Sequence, residues 1–143
     1  MHTEIINKYN VPVPRYTSYP PANYFEPFTN ARYLEAVQQS NQASEHALSF
    51  YLHIPFCPTR CIYCDFYSQS DLSLQSAFVE ALCRELTIYR DRGLWATAPR
   101  TIYLGGGTPS SLPLPLLERL MLHIRSLWTL DKAIEITIEA NPE

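Results

Sequence analysis

Tyr51-Leu52-His53-Ile54-Pro55-Phe56-Cys57-Pro58-Thr59-Arg60-Cys61-Ile62-Tyr63-Cys64-Asp65-Phe66 joins an aromatic, apolar run to three closely spaced cysteines. The run reads as a strand from Ala47 to His53. Pro55 and Pro58 stop it and open a loop. On that loop Cys57, Cys61 and Cys64 have the spacing C-x3-C-x2-C, close enough for three thiolates to reach one small metal centre. Three cysteines are one short of the usual four of an iron–sulfur cube, which leaves one iron open to another ligand. A second reading of the same residues is a zinc site completed by His53.

Working outward, the downstream chain alternates helix and strand. Ser73 is placed to cap a helix running to about Arg92, with Leu74, Phe78, Ala81, Leu82, Leu86 and Tyr89 as its buried stripe and Gly93 at its end. Cys83 lies off the centre of that stripe and reads as a packing residue. Arg100 to Leu104 is a second strand, followed by Gly105-Gly106-Gly107-Thr108-Pro109. Pro113 to Leu127 is a second helix, its prolines in the first turn, with Leu116, Leu117, Leu120, Met121, Ile124 and Leu127 inward. Ala133 to Ala140 is a third strand, with Ile134, Ile136 and Ile138 on one face and Glu135, Thr137 and Glu139 on the other.

Strand, helix, strand, helix, strand predicts a parallel α/β sheet. Ligands in such sheets sit at the C-terminal strand ends. The cysteine loop, the glycine run and Glu139-Ala140-Asn141-Pro142 all fall at that edge. The glycine run is neither a dinucleotide fingerprint nor a P-loop. By itself it reads equally as a turn or as backbone that a ligand can approach closely. Glu139 alone reads as a solvated strand carboxylate, and Tyr51 and Tyr63 alone as core tyrosines.

Upstream, residues 1 to 28 are rich in proline and tyrosine with little helical or strand periodicity, and Val11 to Pro21 reads as extended, polyproline-like chain. Thr29 or Asn30 can cap a short helix over Ala31 to Gln39. The expected organisation is therefore an N-terminal arm and short helix over 1–45, then a core with the first three strands over 46–143. The 143 residues are 46% hydrophobic with a net charge of −3. A packed core follows, and no basic block suggests nucleic acid. Apolar runs are too short and broken to insert in a membrane, and no signal peptide is read. Three cysteines crowded on one loop argue for metal in a reducing compartment, hence a cytoplasmic location.

The cysteine spacing, with Tyr63 before the third cysteine, resembles the signature of the radical S-adenosylmethionine (SAM) enzymes. The wider stretch from Tyr51 to Phe66 resembles the oxygen-independent coproporphyrinogen III oxidase family, including its heme-chaperone relatives. The resemblance implies the N-terminal half of a partial (β/α)6 barrel, a fragment ending past its third strand. It implies a [4Fe–4S] cluster on Cys57, Cys61 and Cys64, with the fourth iron open to SAM. It implies SAM contacts from Gly106, Gly107 and Thr108, aromatic lining from Tyr51 and Tyr63, and a ribose contact from Glu139. The implied partners are a porphyrinogen or heme-like small molecule and an electron donor such as flavodoxin or ferredoxin. The implied reaction is oxidative decarboxylation of two propionates to vinyls. Pro14-Arg15-Tyr16-Thr17-Ser18-Tyr19-Pro20 resembles the arm of the oxidases proper, where Arg15 and its aromatic neighbours would meet the carboxylate-bearing substrate. Phe66 stands where those oxidases carry a further cysteine, as in the heme-chaperone branch or the related heme-degrading methyltransferases.

Overall fold

The computed structural model describes residues 3–10, 24–42 and 48–141. The chain divides into two compact units, Met1–Tyr33 and Leu34–Glu143. The proline-rich stretch over 11–23, with Arg15, lies outside the described residues.

The first unit carries a helix where the sequence shows little helical periodicity. It opens with a short helix α1, Thr3–Tyr9. Glu4 in its first turn and Lys8 in its last complement the helix dipole, a local signal that the downstream prolines obscure. Helix α2, Asn30–Gln42, starts where expected, and Thr29 is its cap: Arg32 N–H donates to Thr29 Oγ1 at 3.3 Å.

In the second unit, strand β1 (Ser49–Ile54), helix α3 (Gln75–Asp91), strand β2 (Thr101–Gly106), helix α4 (Leu114–Leu127) and strand β3 (Glu135–Ile138) follow one another. The strands form one parallel sheet in the order β1-β2-β3. Phe50, Leu52 and Ile54 alternate with exposed or half-buried neighbours on β1, and on β2 Ile102 and Leu104 are buried on either side of exposed Tyr103. These five side chains form a core with Val79, Cys83 and Leu86 of α3 and Leu120 and Ile124 of α4. Ile136 and Ile138 of β3 pair with Ile102 and Leu104 but are exposed, and of the three isoleucines only Ile134 packs against the core.

Three details differ from the sequence reading. First, the long helix is preceded by a 3-10 turn, Leu72–Leu74, capped by Asp71, whose Oδ1 accepts from Ser73 N–H at 3.0 Å and from the Ser73 hydroxyl at 2.6 Å. Ser73 is therefore not the cap. A carboxylate two residues earlier holds the stronger, charge-assisted bond. Second, Gln75, Val79, Cys83 and Leu86 form the buried face of α3, so Cys83 is central to it and not at its edge. Leu74 is exposed, while Phe78 and Leu82 flank the core. Third, Gly105 and Gly106 belong to β2, where they pair with His53 and Ile54. Pairing with a neighbouring strand overrides the turn propensity of glycine. Gly93 ends α3 as expected, with φ 68°, the left-handed conformation that glycine adopts without strain.

Candidate functional site

The cysteine loop leaves β1 through buried Pro55 and Phe56. It is sealed at its base: Gln69 N–H donates to Pro55 O at 2.7 Å, and Cys57 N–H donates to Gln69 O at 3.0 Å. Within it, Cys64 N–H donates to Cys61 O at 3.0 Å. The Arg60 guanidinium grips Cys64 O with Nη2 at 3.0 Å and Nε at 3.3 Å. Cys57, Cys61 and Cys64 are free thiols, with Cys61 exposed and the other two half-buried. The neighbouring Cys61 side chain holds the exposed Tyr63 phenol above its ordinary pKa.

The glycine run packs directly against this loop. Gly107 N–H donates to Ile54 O and Thr108 N–H to Phe56 O, each at 2.8 Å. A Cβ on Gly107 would meet Phe56 O at 2.6 Å, so a larger residue would push the two segments apart. Gly106 has φ 121°, and a Cβ there would meet the His53 imidazole at 2.8 Å.

On the sheet face away from the helices lies a polar and aromatic row. Tyr51 and Tyr103 stack with centroids 5.9 Å apart. The Tyr51 hydroxyl meets His53 Nδ1 at 3.0 Å. Glu139, just past β3, accepts from the Tyr103 hydroxyl at 2.8 Å through one oxygen and from Gly106 N–H at 2.9 Å through the other. Its carboxylate thus ties the end of β2 to the end of β3. The hydrogen bond to Glu139 is the main cause of a raised pKa at Tyr103. Tyr51 is raised as well, by burial first and by the Glu139 charge second.

The structure therefore brings Tyr51, Gly106 and Glu139 into one linked group, and Cys57, Gly107 and Thr108 into another beside it. Tyr63 and Cys61 stand together on the exposed part of the loop. His53 faces Tyr51 and Gly106, which does not favour it as a fourth ligand beside the cysteines. Three residues went unnoticed in the sequence: Tyr103, Arg60 and Asn141, whose Nδ2 donates to Thr108 Oγ1 at 3.3 Å. Tyr103 carries a readable signal, since it alternates with Ile102 and Leu104 and so shares the face of Glu139. Arg60 and Asn141 act through loop geometry, which leaves no periodic trace.

Among the described residues, no three His, Cys, Asp or Glu side chains stand arranged to hold a metal ion. Metal sites of this kind complete themselves on binding, because the ligands must lose protons and be drawn together. The donor chemistry fits an iron–sulfur centre: three unbridged thiols on one loop that is sealed at its base.

A parallel α/β sheet with a three-cysteine loop and a glycine-rich strand end at one edge defines the class. No family model matches the sequence. Curated relatives do. The chain is 35% identical over 145 residues to the oxygen-independent coproporphyrinogen III oxidase of Salmonella typhimurium, covering 96% of this chain and 30% of that protein. It is 42% identical over 95 residues to the heme chaperone HemW of Lactococcus lactis, covering 66% of this chain and 24% of that protein. Among solved structures, coproporphyrinogen III oxidase (HemN) from Escherichia coli, described as a radical SAM enzyme, matches with a TM-score of 0.76 and 29% identity over 98% of this chain and 31% of that one. The chain thus spans less than a third of the length of these relatives. It belongs to the radical SAM family of the oxygen-independent coproporphyrinogen III oxidases and their HemW relatives.

Proposed function

We propose that this chain is the cluster- and SAM-binding part of a radical SAM enzyme of the coproporphyrinogen III oxidase type, acting in porphyrin and heme formation in the cytoplasm. The observation that carries this reading is the extent of the likeness: the Salmonella typhimurium oxidase aligns over 96% of the chain, whereas the Lactococcus lactis chaperone aligns over 66%. Cys57, Cys61 and Cys64 would hold a [4Fe–4S] cluster with one iron left for SAM. When bound, cluster and SAM supply one-electron cleavage of the sulfonium and abstraction of a substrate hydrogen. The protein's own part is positioning. The sealed loop fixes where the three sulfurs start and end. Gly106, Gly107 and Thr108 would form the side of the site along which the methionine portion of SAM lies. Tyr51 and Tyr63 would flank SAM, and Glu139 would meet the ribose hydroxyls. The substrate is a porphyrinogen bearing propionates, and a flavodoxin or ferredoxin would deliver the electron.

A second reading has one observation in its favour. Phe66 follows the cysteine trio, as in the heme-chaperone branch, and the match to HemW is the more identical over its shorter span. In that reading the cluster is kept and heme is carried.

Anaerobic iron–sulfide reconstitution followed by EPR of the reduced chain, with and without SAM, tests the proposal. A [4Fe–4S]+ signal that SAM perturbs supports it. A signal indifferent to SAM, or zinc in place of iron, overturns it. Turnover of coproporphyrinogen III against stoichiometric heme binding then separates the two branches.

A further inference from the structure

Thr108 is only 7% exposed, and its polar groups are all used inside the chain. Its N–H donates to Phe56 O at 2.8 Å, and its carbonyl accepts from Ser111 N–H at 2.9 Å. Its Oγ1 lies 3.6 Å from Cys57 Sγ, within hydrogen-bond range for sulfur. The same oxygen accepts from Asn141 Nδ2 at 3.3 Å. A side-chain amide nitrogen only donates, so this contact occupies a lone pair of Thr108 and leaves its hydroxyl proton for the sulfur. A metal-bound cysteine is a thiolate without a proton of its own. With Cys57 as a ligand, the bond can therefore run only from the Thr108 hydroxyl to the Cys57 sulfur.

We propose that Thr108, aimed by Asn141, is a positioning residue that donates a hydrogen bond to the Cys57 sulfur and raises the reduction potential of the centre held there. This rests on the reading that Cys57 ligates an iron–sulfur cluster. One-electron reduction adds negative charge that is shared with the ligand sulfurs. A donor already pointing at one sulfur stabilises the reduced form more than the oxidised form. Burial strengthens the effect, because little water competes at Thr108. Tyr63, beside Cys61, is by contrast largely exposed to solvent. Asn141 enters from the end of β3, so the third strand is coupled to the first ligand.

The test is an EPR-monitored redox titration of the anaerobically reconstituted chain, after iron and sulfide content has been measured. Thr108→Val keeps the shape and removes the proton. It should shift the one-electron equilibrium about tenfold toward the oxidised form, which is 59 mV more negative. Thr108→Ser should restore the wild-type potential, and Asn141→Ala should give a smaller shift in the same direction. Should Thr108→Val lose the cluster while Thr108→Ser holds it, the positioning role is supported, and the potential is read from Asn141→Ala. An unchanged potential in a fully loaded Thr108→Val protein overturns the proposal. So do equal shifts in the Val and Ser variants, which would mean packing and not the proton. If the wild-type chain holds no iron–sulfur cluster at all, the underlying reading falls first, and the iron content shows it before any potential is measured.

Discussion

The two faces of one three-stranded sheet were built from neighbouring residues and do opposite things. Phe50, Leu52, Ile54, Ile102 and Leu104 are almost wholly buried against α3 and α4. Tyr51, His53, Tyr103 and Glu139 lie on the other face, linked to one another by hydrogen bonds and ring stacking and open to solvent. A strand's period of two lets the first set secure the fold while the second is spared for ligands. Stability and site are therefore separable by single steps along the chain.

The sharpest way to break that separation uses cysteines. Cys61→Ser should abolish bound iron in a reconstituted chain, because a protonated hydroxyl is a poor substitute for a thiolate ligand. Cys83→Ser should keep the iron yet lose stability by roughly 1–3 kcal/mol, the penalty for a hydroxyl in an apolar core. Iron analysis and urea unfolding read the two effects. If Cys83→Ser also loses iron, the faces are not independent.

Next come the neighbours Ile102 and Tyr103. Ile102→Ala should cost about 2–5 kcal/mol through the lost transfer energy and the cavity left behind. Tyr103→Phe should leave the urea midpoint nearly unchanged and weaken SAM binding several-fold, since Glu139 loses a partner. Calorimetry with SAM and urea titration distinguish them. A large stability loss in Tyr103→Phe would make the open face part of the core.

Glycines sharpen the comparison further. Gly107→Ala should cost about 1–3 kcal/mol, because its Cβ would press on the Phe56 backbone, which has little room to yield. Gly93→Ala meets nothing within 4 Å and should lose only about 1 kcal/mol, from its positive φ. Reconstituted Gly107→Ala should also hold less iron, whereas Gly93→Ala should load normally.

The smallest expected effect is spectroscopic. Tyr103 ionises above its ordinary value of 10.0, chiefly because its hydroxyl donates to Glu139. A folded-state pKa raised in this way adds stability that is fully present below the unfolded value. That stability is lost as pH rises through the folded pKa. Ultraviolet titration of Glu139→Gln should bring Tyr103 back toward the ordinary range and lower Tyr51 by a smaller amount. An unmoved curve would mean that the Tyr103–Glu139 bond is absent in solution.

Much of this was legible in the chain itself. The alternation of Ile134, Ile136 and Ile138 with Glu135, Thr137 and Glu139 placed the carboxylate on the free face, and the parallel strands follow from the helix–strand rhythm. The convergence of cysteine loop, glycine run and Glu139 at one edge follows in turn. Three things were hidden. Gly105 and Gly106 read equally as a turn or as backbone open to a ligand, because glycine's strand character comes only from the neighbour it pairs with. The buried stripe of α3 differs from the apolar stripe because Gln75, Val79 and Cys83 face the core, while Leu74 is exposed and Phe78 and Leu82 flank it, an orientation set by packing on the sheet. The contacts of Arg60 with Cys64 O and of Asn141 with Thr108 depend on how two loops fold, and no spacing encodes them.

Glu139 has a further consequence. Its N–H donates to Leu104 O at 3.0 Å, and its carbonyl accepts from Ser110 N–H at 3.3 Å, while its carboxylate spans Tyr103 and Gly106. Slipping β3 by one residue along β2 would turn this side chain toward the helices and bring an isoleucine out in its place. All four contacts would then be lost together. The residue so acts as a gauge of correct alignment: a chain that has paired its strands out of step loses the tie between the ends of β2 and β3 along with the polar row on its open face.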